Sequence, residues 1–323
     1  MARSGVVAEV HSIDSVSQDS LGAELYRAYG QSLRCGFNTD PVLQRTLAHV
    51  LAHPGSLARP RMSVQTGLAY GAERQSTLDL AIALEYFHTA SLLFDDLPCM
   101  DDAAVRRGAP CVHRLFGEPA AILAALTLIN RAYGLVWSAL RTVPLQHQVR
   151  VFEFLNDRLG VNGLLNGQSL DLNFQSSARD LAEAERVARG KTVPMIEIAL
   201  VLPAILAQAP QRDIQLLQRL SLFWGLAYQL ADDLKDVLAS QSDTGKSAER
   251  DGRLGRPNTA LVIGIPAAVG RLGRLIHAGD RLMNRLIAKR SSLNFLNDFR
   301  TSLLDELTNA IEEAGAIPID RVR

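Results

Sequence analysis

Four aspartates stand within eight positions in SLLFDDLPCMDDAAVRRGAPCVH (residues 91–113), two adjacent arginines follow them, and three more aspartates crowd DDLKD at 232–236. Carboxylates at such density repel one another unless something cationic stands between them. On a helix, Asp232 and Asp236 are four residues apart, about 40° in azimuth, so both leave the same face one turn apart. In the first cluster Asp95 and Asp96 are adjacent, whereas Asp101 lies six residues on, about 240° round an ideal helix. Pro98 answers that mismatch: it ends the turn before it and lets Asp101 fold back from a loop. Hard oxygen ligands in small number, with waters and phosphate oxygens completing the shell, are how Mg²⁺ is held. One such cluster alone reads equally well as a solvated helix end. Two clusters with arginines and a lysine nearby point instead to a diphosphate between two carboxylate walls, because the cations complete a phosphate site.

The elements that must carry these groups are helical. Stretches such as TLDLAIALEYFHTASLLF, AAILAALTLINRAYGLVWSALRTV and QLLQRLSLFWGLAYQLADDLKDVL outrun strands and lack β-branched alternation. Breakers such as AHPGSLARP, DLP, RRGAP and GRLGRP divide about ten or more helices. With no low-complexity linker and no internal repeat, residues 1–323 are expected to form one all-α domain, the first 15 or so residues loosely ordered. Several helices are apolar over most of their circumference, as in a bundle with buried central members. A chain of 323 residues, 47% hydrophobic and 21% charged, can bury a large core. Its formal net charge of zero argues against a nucleic-acid partner, since phosphate-backbone binding needs a broad basic surface. Cys35, Cys99 and Cys111 make neither an even framework nor a metal-type spacing; a reducing, cytoplasmic setting with each thiol a small apolar side chain is expected. The N-terminus lacks a signal-peptide core. MIEIALVLPAILAQA, the most apolar later stretch, carries Glu197 and Pro203 and is too short to span a bilayer, so no membrane span is expected. The basic stretch RLGRLIHAGDRLMNRLIAKR (271–290) is read as the solvated face of a packed helix rather than a membrane-surface helix.

In order along residues 40–260 the chain resembles the trans-polyprenyl diphosphate synthases, the family of farnesyl and geranylgeranyl diphosphate synthases. DDLPCMDDAAVRRGAPCVHRLFGE is similar to the family's first aspartate-rich motif with its RRGxP tail, GQSLDL (167–172), KT (191–192) and YQLADDLKD to later motifs, and TGKSAERDGRLGRPN to the segment that closes the site. The resemblance implies an isoprenoid synthase-type fold, all-helical around a central cavity, assembled as a homodimer. It implies that Asp95, Asp96 and Asp101 bind two Mg²⁺ ions and Asp232 a third, with Asp233 and Asp236 in support. Arg106, Lys191 and Lys246 would grip an allylic diphosphate, with Thr192 and Gln229 lining the reacting end. The implied reaction ionises the allylic C–O bond as metal and cations neutralise the departing diphosphate. Isopentenyl diphosphate then attacks through its double bond, and the released diphosphate takes the proton, so no catalytic His or Ser is sought.

Two stretches depart from the family pattern. Where GGKRxRP usually binds isopentenyl diphosphate, this chain reads HPGSLARP: Arg59 survives and Ser56 takes the lysine's place, with His88 and Arg107 matching the remaining contacts. His88 lies seven residues before Asp95, on nearly the same helix face; by itself it reads also as a core histidine. At GRPN, Arg256 keeps the positive charge where GKxT is usual. Ala90 and Ser91 are small where a large aromatic would stop the product at fifteen carbons, and Phe87, a turn deeper, is a candidate stop; a C20 product is expected, with C15 the alternative. A class I terpene cyclase needs no isopentenyl site, which the missing lysine suits, but DDLKD is the synthase form of the second motif. A non-catalytic partner subunit stays open too, although such subunits typically lose aspartates and both clusters here are intact.

Overall fold

The computed structural model describes residues 20–174, 181–242 and 258–302, with side chains omitted at 239–242. Lys246, Arg256 and the first 15 residues lie outside the described residues. The chain divides into two compact units, Met1–Val143 and Pro144–Arg323.

The first unit runs α1 (Ser20–Gln31), α2 (Pro41–Ala52), α3 (Ala58–Ala69), α4 (Arg74–Asp95), a two-stranded hairpin β1 (Val105–Arg106) and β2 (Ala109–Pro110), α5 (Val112–Phe116) and α6 (Glu118–Ala139). Local chemistry starts α2: Asp40 accepts from the backbone N–H of Val42 and Leu43 at 2.9 and 3.1 Å, and Pro41 occupies the first turn. α4 is the central member, with residues 80–84 buried on every side. It packs chiefly on α6, which offers it alanines at 121, 124, 125, 132 and 139, all buried. Small side chains let the two axes approach closely. Tyr86 pins α1 to α4 by donating to the Tyr29 carbonyl at 2.6 Å, and the Tyr29 hydroxyl meets Thr89 Oγ1 at 3.2 Å.

The second unit runs α7 (Leu145–Leu159), α8 (Leu164–Leu172), α9 (Leu181–Lys191), α10 (Val193–Leu206), α11 (Gln211–Ser242), α12 (Thr259–Ile263), α13 (Ile265–Lys289) and a 3-10 turn (Ser291–Leu293). α10, the apolar MIEIALVLPAIL stretch, is buried at every residue. Its one acid, Glu197, is tied to Arg158 of α7, whose guanidinium also lies over the Phe154 ring. α11 packs along α13, where Gly279 leaves room for Trp224. α13 buries Leu272, Ile276, Met283 and Leu286 and exposes Arg274, His277, Arg281 and Arg285, the solvated face of a packed helix that its sequence predicts.

The all-α expectation holds, the hairpin being the sole strand pairing among the described residues. Among the described residues one helix, α6, is long and apolar enough to cross a membrane by length and composition; 44% of that stretch is buried within the protein. Cys111 is buried as a small apolar side chain would be, but Cys99 is exposed, so the expectation for the thiols holds only in part.

Candidate functional site

The first acidic cluster is built at the end of α4. The helix stops at Asp95, and the backbone N–H of Asp101 returns to the Asp95 carbonyl at 2.9 Å, the fold-back expected from Pro98. Two further bonds, from Asp102 N–H to Leu97 O at 3.1 Å and from Ala103 N–H to Asp96 O at 3.2 Å, close the loop. Asp95 and Asp101 are thereby brought to one helix end. Asp96 points into the protein and accepts from Arg106 Nε at 2.9 Å and from a second guanidinium nitrogen at 2.7 Å. Burial and the neighbouring Asp96 push the Cys111 thiol up to about 11, so it stays protonated and donates to the same carboxylate. The geometry thus separates the aspartates of one motif: Asp96 is buried on Arg106, whereas Asp95 and Asp101 stay half-buried at the helix end.

RRG acquires a structural meaning in the hairpin. Arg107 and Gly108 are its two central turn residues, with φ of 52° and 72°, and a two-residue turn with both φ positive matches the twist of antiparallel strands. Glycine tolerates this freely; arginine at φ 52° costs about 1 kcal/mol. The turn sends the two arginines apart. Arg106 goes to Asp96, whereas Arg107 donates to Glu85 Oε1 at 3.1 Å and to the His53 carbonyl at 3.2 Å. Gly55 lies flat against that guanidinium: a Cβ there would stand 2.8 Å from its nearest nitrogen. The loop in which Ser56 replaces lysine is therefore covered by Arg107.

Arg59, at the start of α3, reaches His88 of α4, with Nη1 3.2 Å from Nε2. A guanidinium only donates, so Nε2 is the unprotonated nitrogen and the ring is neutral. Burial, with Arg59, Arg107 and Arg106 around it, holds His88 well below the usual histidine range. Ala90 is buried, Ser91 donates to the His88 carbonyl at 2.8 Å, and Phe87 stacks edge-on against Tyr133 of α6 with ring centroids 5.1 Å apart. A cavity of about 40 Å³, room for roughly one water, lies beside this cluster, lined by His49, His53, Asp96, Arg106, Arg107 and Cys111 among others. A larger cleft of about 510 Å³ between α1, α2 and α6 contains none of the expected site residues.

In the second unit, glycine contacts set the register of the functional groups. Gly167 of α8 and Gly190 of α9 touch backbone to backbone; a Cβ on Gly167 would stand 2.1 Å from the Gly190 carbonyl carbon. This approach seats Lys191 Nζ 2.7 Å from Asp171 Oδ2 of GQSLDL. Gly225 in α11 makes the same allowance for Val193, and Thr192 next to it donates to Gln229 Oε1 at 2.6 Å. Gln229 in turn donates to Asp233 Oδ1 at 3.0 Å, and the Thr259 N–H donates to Asp233 Oδ2 at 2.7 Å. Burial raises the Asp233 carboxyl above its ordinary range, opposed by those hydrogen bonds. Asp233 thus ties α11 to α12, whereas Asp232 is half-exposed, 3.9 Å from Lys235, and Asp236 is exposed one turn on.

Among the described residues no three His, Cys, Asp or Glu side chains converge into a metal cage. Asp95, Asp101, Asp232 and Asp236 nevertheless fit a hard cation, since they offer only carboxylate oxygen, in the small numbers that suit magnesium completed by phosphate oxygens and water. Glu85, His53, Cys111, Asp171 and Tyr133 were not assigned roles by sequence reasoning. Only Asp171 carried a signal, its place in GQSLDL; the others meet their partners across 15 to 54 residues of chain.

The Polyprenyl synthetase family model matches residues 40–275. The farnesyl diphosphate synthase of Bacillus subtilis is 30% identical over 257 residues, 79% of this chain and 87% of that one. A geranylgeranyl diphosphate synthase of Pantoea ananas is 36% identical over 221 residues, 68% of this chain and 71% of that one. Among solved structures, a geranyltransferase from Helicobacter pylori complexed with magnesium and isoprenyl diphosphate superimposes with a TM-score of 0.72 at 21% identity, covering 96% of this chain and 100% of that one.

Proposed function

On the premise that the chain belongs to the polyprenyl synthetase family and is a trans-prenyltransferase, we propose that it condenses isopentenyl diphosphate with allylic prenyl diphosphates to give geranylgeranyl diphosphate. The observation that carries the reading is the end of α4, where Arg106, locked on Asp96, feels the Asp95 carboxylate and the backbone of Asp101 folds back to the same helix end. Cation and hard oxygen donors meet there at the polar end of an apolar helix, as a diphosphate with a hydrocarbon tail requires. Asp95 and Asp101 at the end of α4, and Asp232 and Asp236 on α11, are the residues proposed, from the family resemblance, to hold magnesium, up to three ions. Magnesium, when bound, offsets the charge that develops on the departing diphosphate. Arg106, Lys191 and Lys246 grip and orient that diphosphate; Thr192 and Gln229 stand at its reacting end. Asp96 and Asp233 act by position, the first aiming Arg106 and the second tying Gln229 to α12. Arg59, His88, Arg107 and the backbone around Ser56 form the isopentenyl site. Ala90 and Leu93, buried on α4, keep the wall beside the growing chain dry and free of nucleophiles.

Small residues at Ala90 and Ser91 support the C20 product, with the Phe87–Tyr133 pair, a turn deeper, as the candidate floor; C15 is the second reading, and the relatives above carry both names. The homodimer is assigned to α6. Leu123, Leu126 and Trp137 lie on one face of the helix and are 53%, 50% and 60% exposed, exposed apolar side chains of the kind that support an interaction surface. Three unpaired cysteines suit a cytoplasmic setting.

The test is incubation with Mg²⁺, isopentenyl diphosphate and, in turn, dimethylallyl, geranyl and farnesyl diphosphates, with products read by mass spectrometry. A C20 diphosphate lost on Asp95→Ala or Asp232→Ala is the expected result. Near wild-type turnover in either variant would sink the metal assignment, and a cyclic or alcohol product without isopentenyl consumption would sink the elongation reading.

A further inference from the structure

Glu85 is a buried acid, 2% exposed, in a stretch of α4 otherwise packed with apolar side chains, and the proposed chemistry makes no use of it. It lies one helical turn before His88 and accepts from Arg107 at 3.1 Å. Burial pushes its carboxyl up, while Arg107 and then Arg59 draw it down. Arg107 cannot give up its proton and is itself only 18% exposed, so a neutral Glu85 would leave a guanidinium charge uncompensated beside it. Arg107 also sits at φ 52°, a conformation a non-glycine residue keeps only where its surroundings hold it. Glu85 holds one guanidinium nitrogen and the His53 carbonyl another, the Tyr29 hydroxyl also bonds this side chain, and Gly55 lies flat against the plane.

We infer that Glu85 is the positioning residue of the isopentenyl site, aiming Arg107 over the loop where Ser56 stands in place of lysine and so fixing one of the cations the site retains. The inference rests on the isopentenyl site proposed above. With no lysine in HPGSL and with His88 neutral, the positive charge of that site comes from two guanidinium groups, and Glu85 orders one of them before the diphosphate arrives. Pre-ordering of this kind lowers the cost of binding rather than adding a contact to the ligand. Arg106, by contrast, is ordered by Asp96, so loss of Glu85 leaves the allylic diphosphate contacts intact.

The experiment measures, by calorimetry without magnesium, binding of isopentenyl diphosphate and separately of geranyl diphosphate to the wild type, Glu85→Gln, Arg107→Lys and the double variant. Gln keeps the shape and one acceptor and removes only the charge. Glu85→Gln is expected to weaken isopentenyl diphosphate about ten-fold and geranyl diphosphate less than about two-fold, with a thermal midpoint within a few degrees of wild type. In the Arg107→Lys background the same change is expected to add less than about two-fold, because the two residues act as one unit. Equal weakening of both diphosphates marks a general structural role and overturns the inference. So does undiminished isopentenyl binding by Glu85→Gln, or losses that simply add in the double variant. A wild type that binds no isopentenyl diphosphate overturns the underlying site assignment instead.

Discussion

Replacing Gly167 by alanine tests how the second unit positions its lysine. The new Cβ would meet the Gly190 carbonyl carbon at 2.1 Å and the Lys191 backbone nitrogen at 2.3 Å, where ordinary contact begins at 3.4 Å. Both obstacles are backbone, so no rotamer change relieves them, and α8 and α9 must part by about 1.3 Å. Overpacking of this severity costs about 3 kcal/mol. Alanine recovers about 1 kcal/mol of that through helix propensity. The net of about 2 kcal/mol lowers the melting temperature by about 4–8 °C for a unit of this size. Lys191 moves with α9 and loses its seat at Asp171, and a displacement of about an ångström in a catalytic group costs about a hundred-fold in turnover. The control is Gly273→Ala on α13, where a Cβ meets nothing within 4 Å; there the propensity gain stands alone, and the melting temperature should rise by about 2–4 °C. Calorimetric melting and steady-state turnover are measured on both variants. A Gly167→Ala protein that melts and turns over like wild type would refute the claim that glycine contact sets the lysine.

Phe87→Ala removes the aromatic pair with Tyr133 and should shift products to longer chains by at least one isoprene unit, read by mass spectrometry; an unchanged distribution would mean the floor lies elsewhere. Leu126→Glu with Trp137→Glu places two charges on the exposed face of α6 and should convert a dimer to a monomer in sedimentation velocity; a dimer that persists would put the interface on another face. Burial raises Glu197 above its ordinary 4.5, against the opposing pull of Arg158. Its folded value then exceeds its unfolded one, so its stabilising contribution is complete below 4.5 and is lost as pH rises through the folded value. Glu197→Gln cannot ionise; the stability of the variant relative to wild type should therefore improve as pH rises above 4.5 in denaturant titrations, and a flat difference would contradict the assigned shift.

The amino-acid sequence by itself determined the helical architecture, because the period of its apolar residues and the positions of its breakers are local properties that act within one or two turns. It also supplied the candidate residues of the proposed site. The fold-back of Asp101 followed from Pro98, and the common face of Asp232 and Asp236 followed from helical spacing, since each depends on a few consecutive residues. What each carboxylate does was decided by tertiary structure. Asp95 and Asp96 are neighbours of the same type, yet only Asp96 turns inward to Arg106 and Cys111, a difference set by the hairpin that returns ten residues later. Likewise the adjacent arginines of RRG take opposite partners because a turn with two positive φ values splays them. Glu85 was silent, and Asp171 was marked only by its place in GQSLDL, for the same reason: a buried acid acquires meaning only from the cation that packing brings to it, and Arg107 and Lys191 come from 22 and 20 residues away. The folded chain pairs charges through space, where burial makes an unpaired group costly, and no pattern of neighbours along the chain records which partner removes that cost.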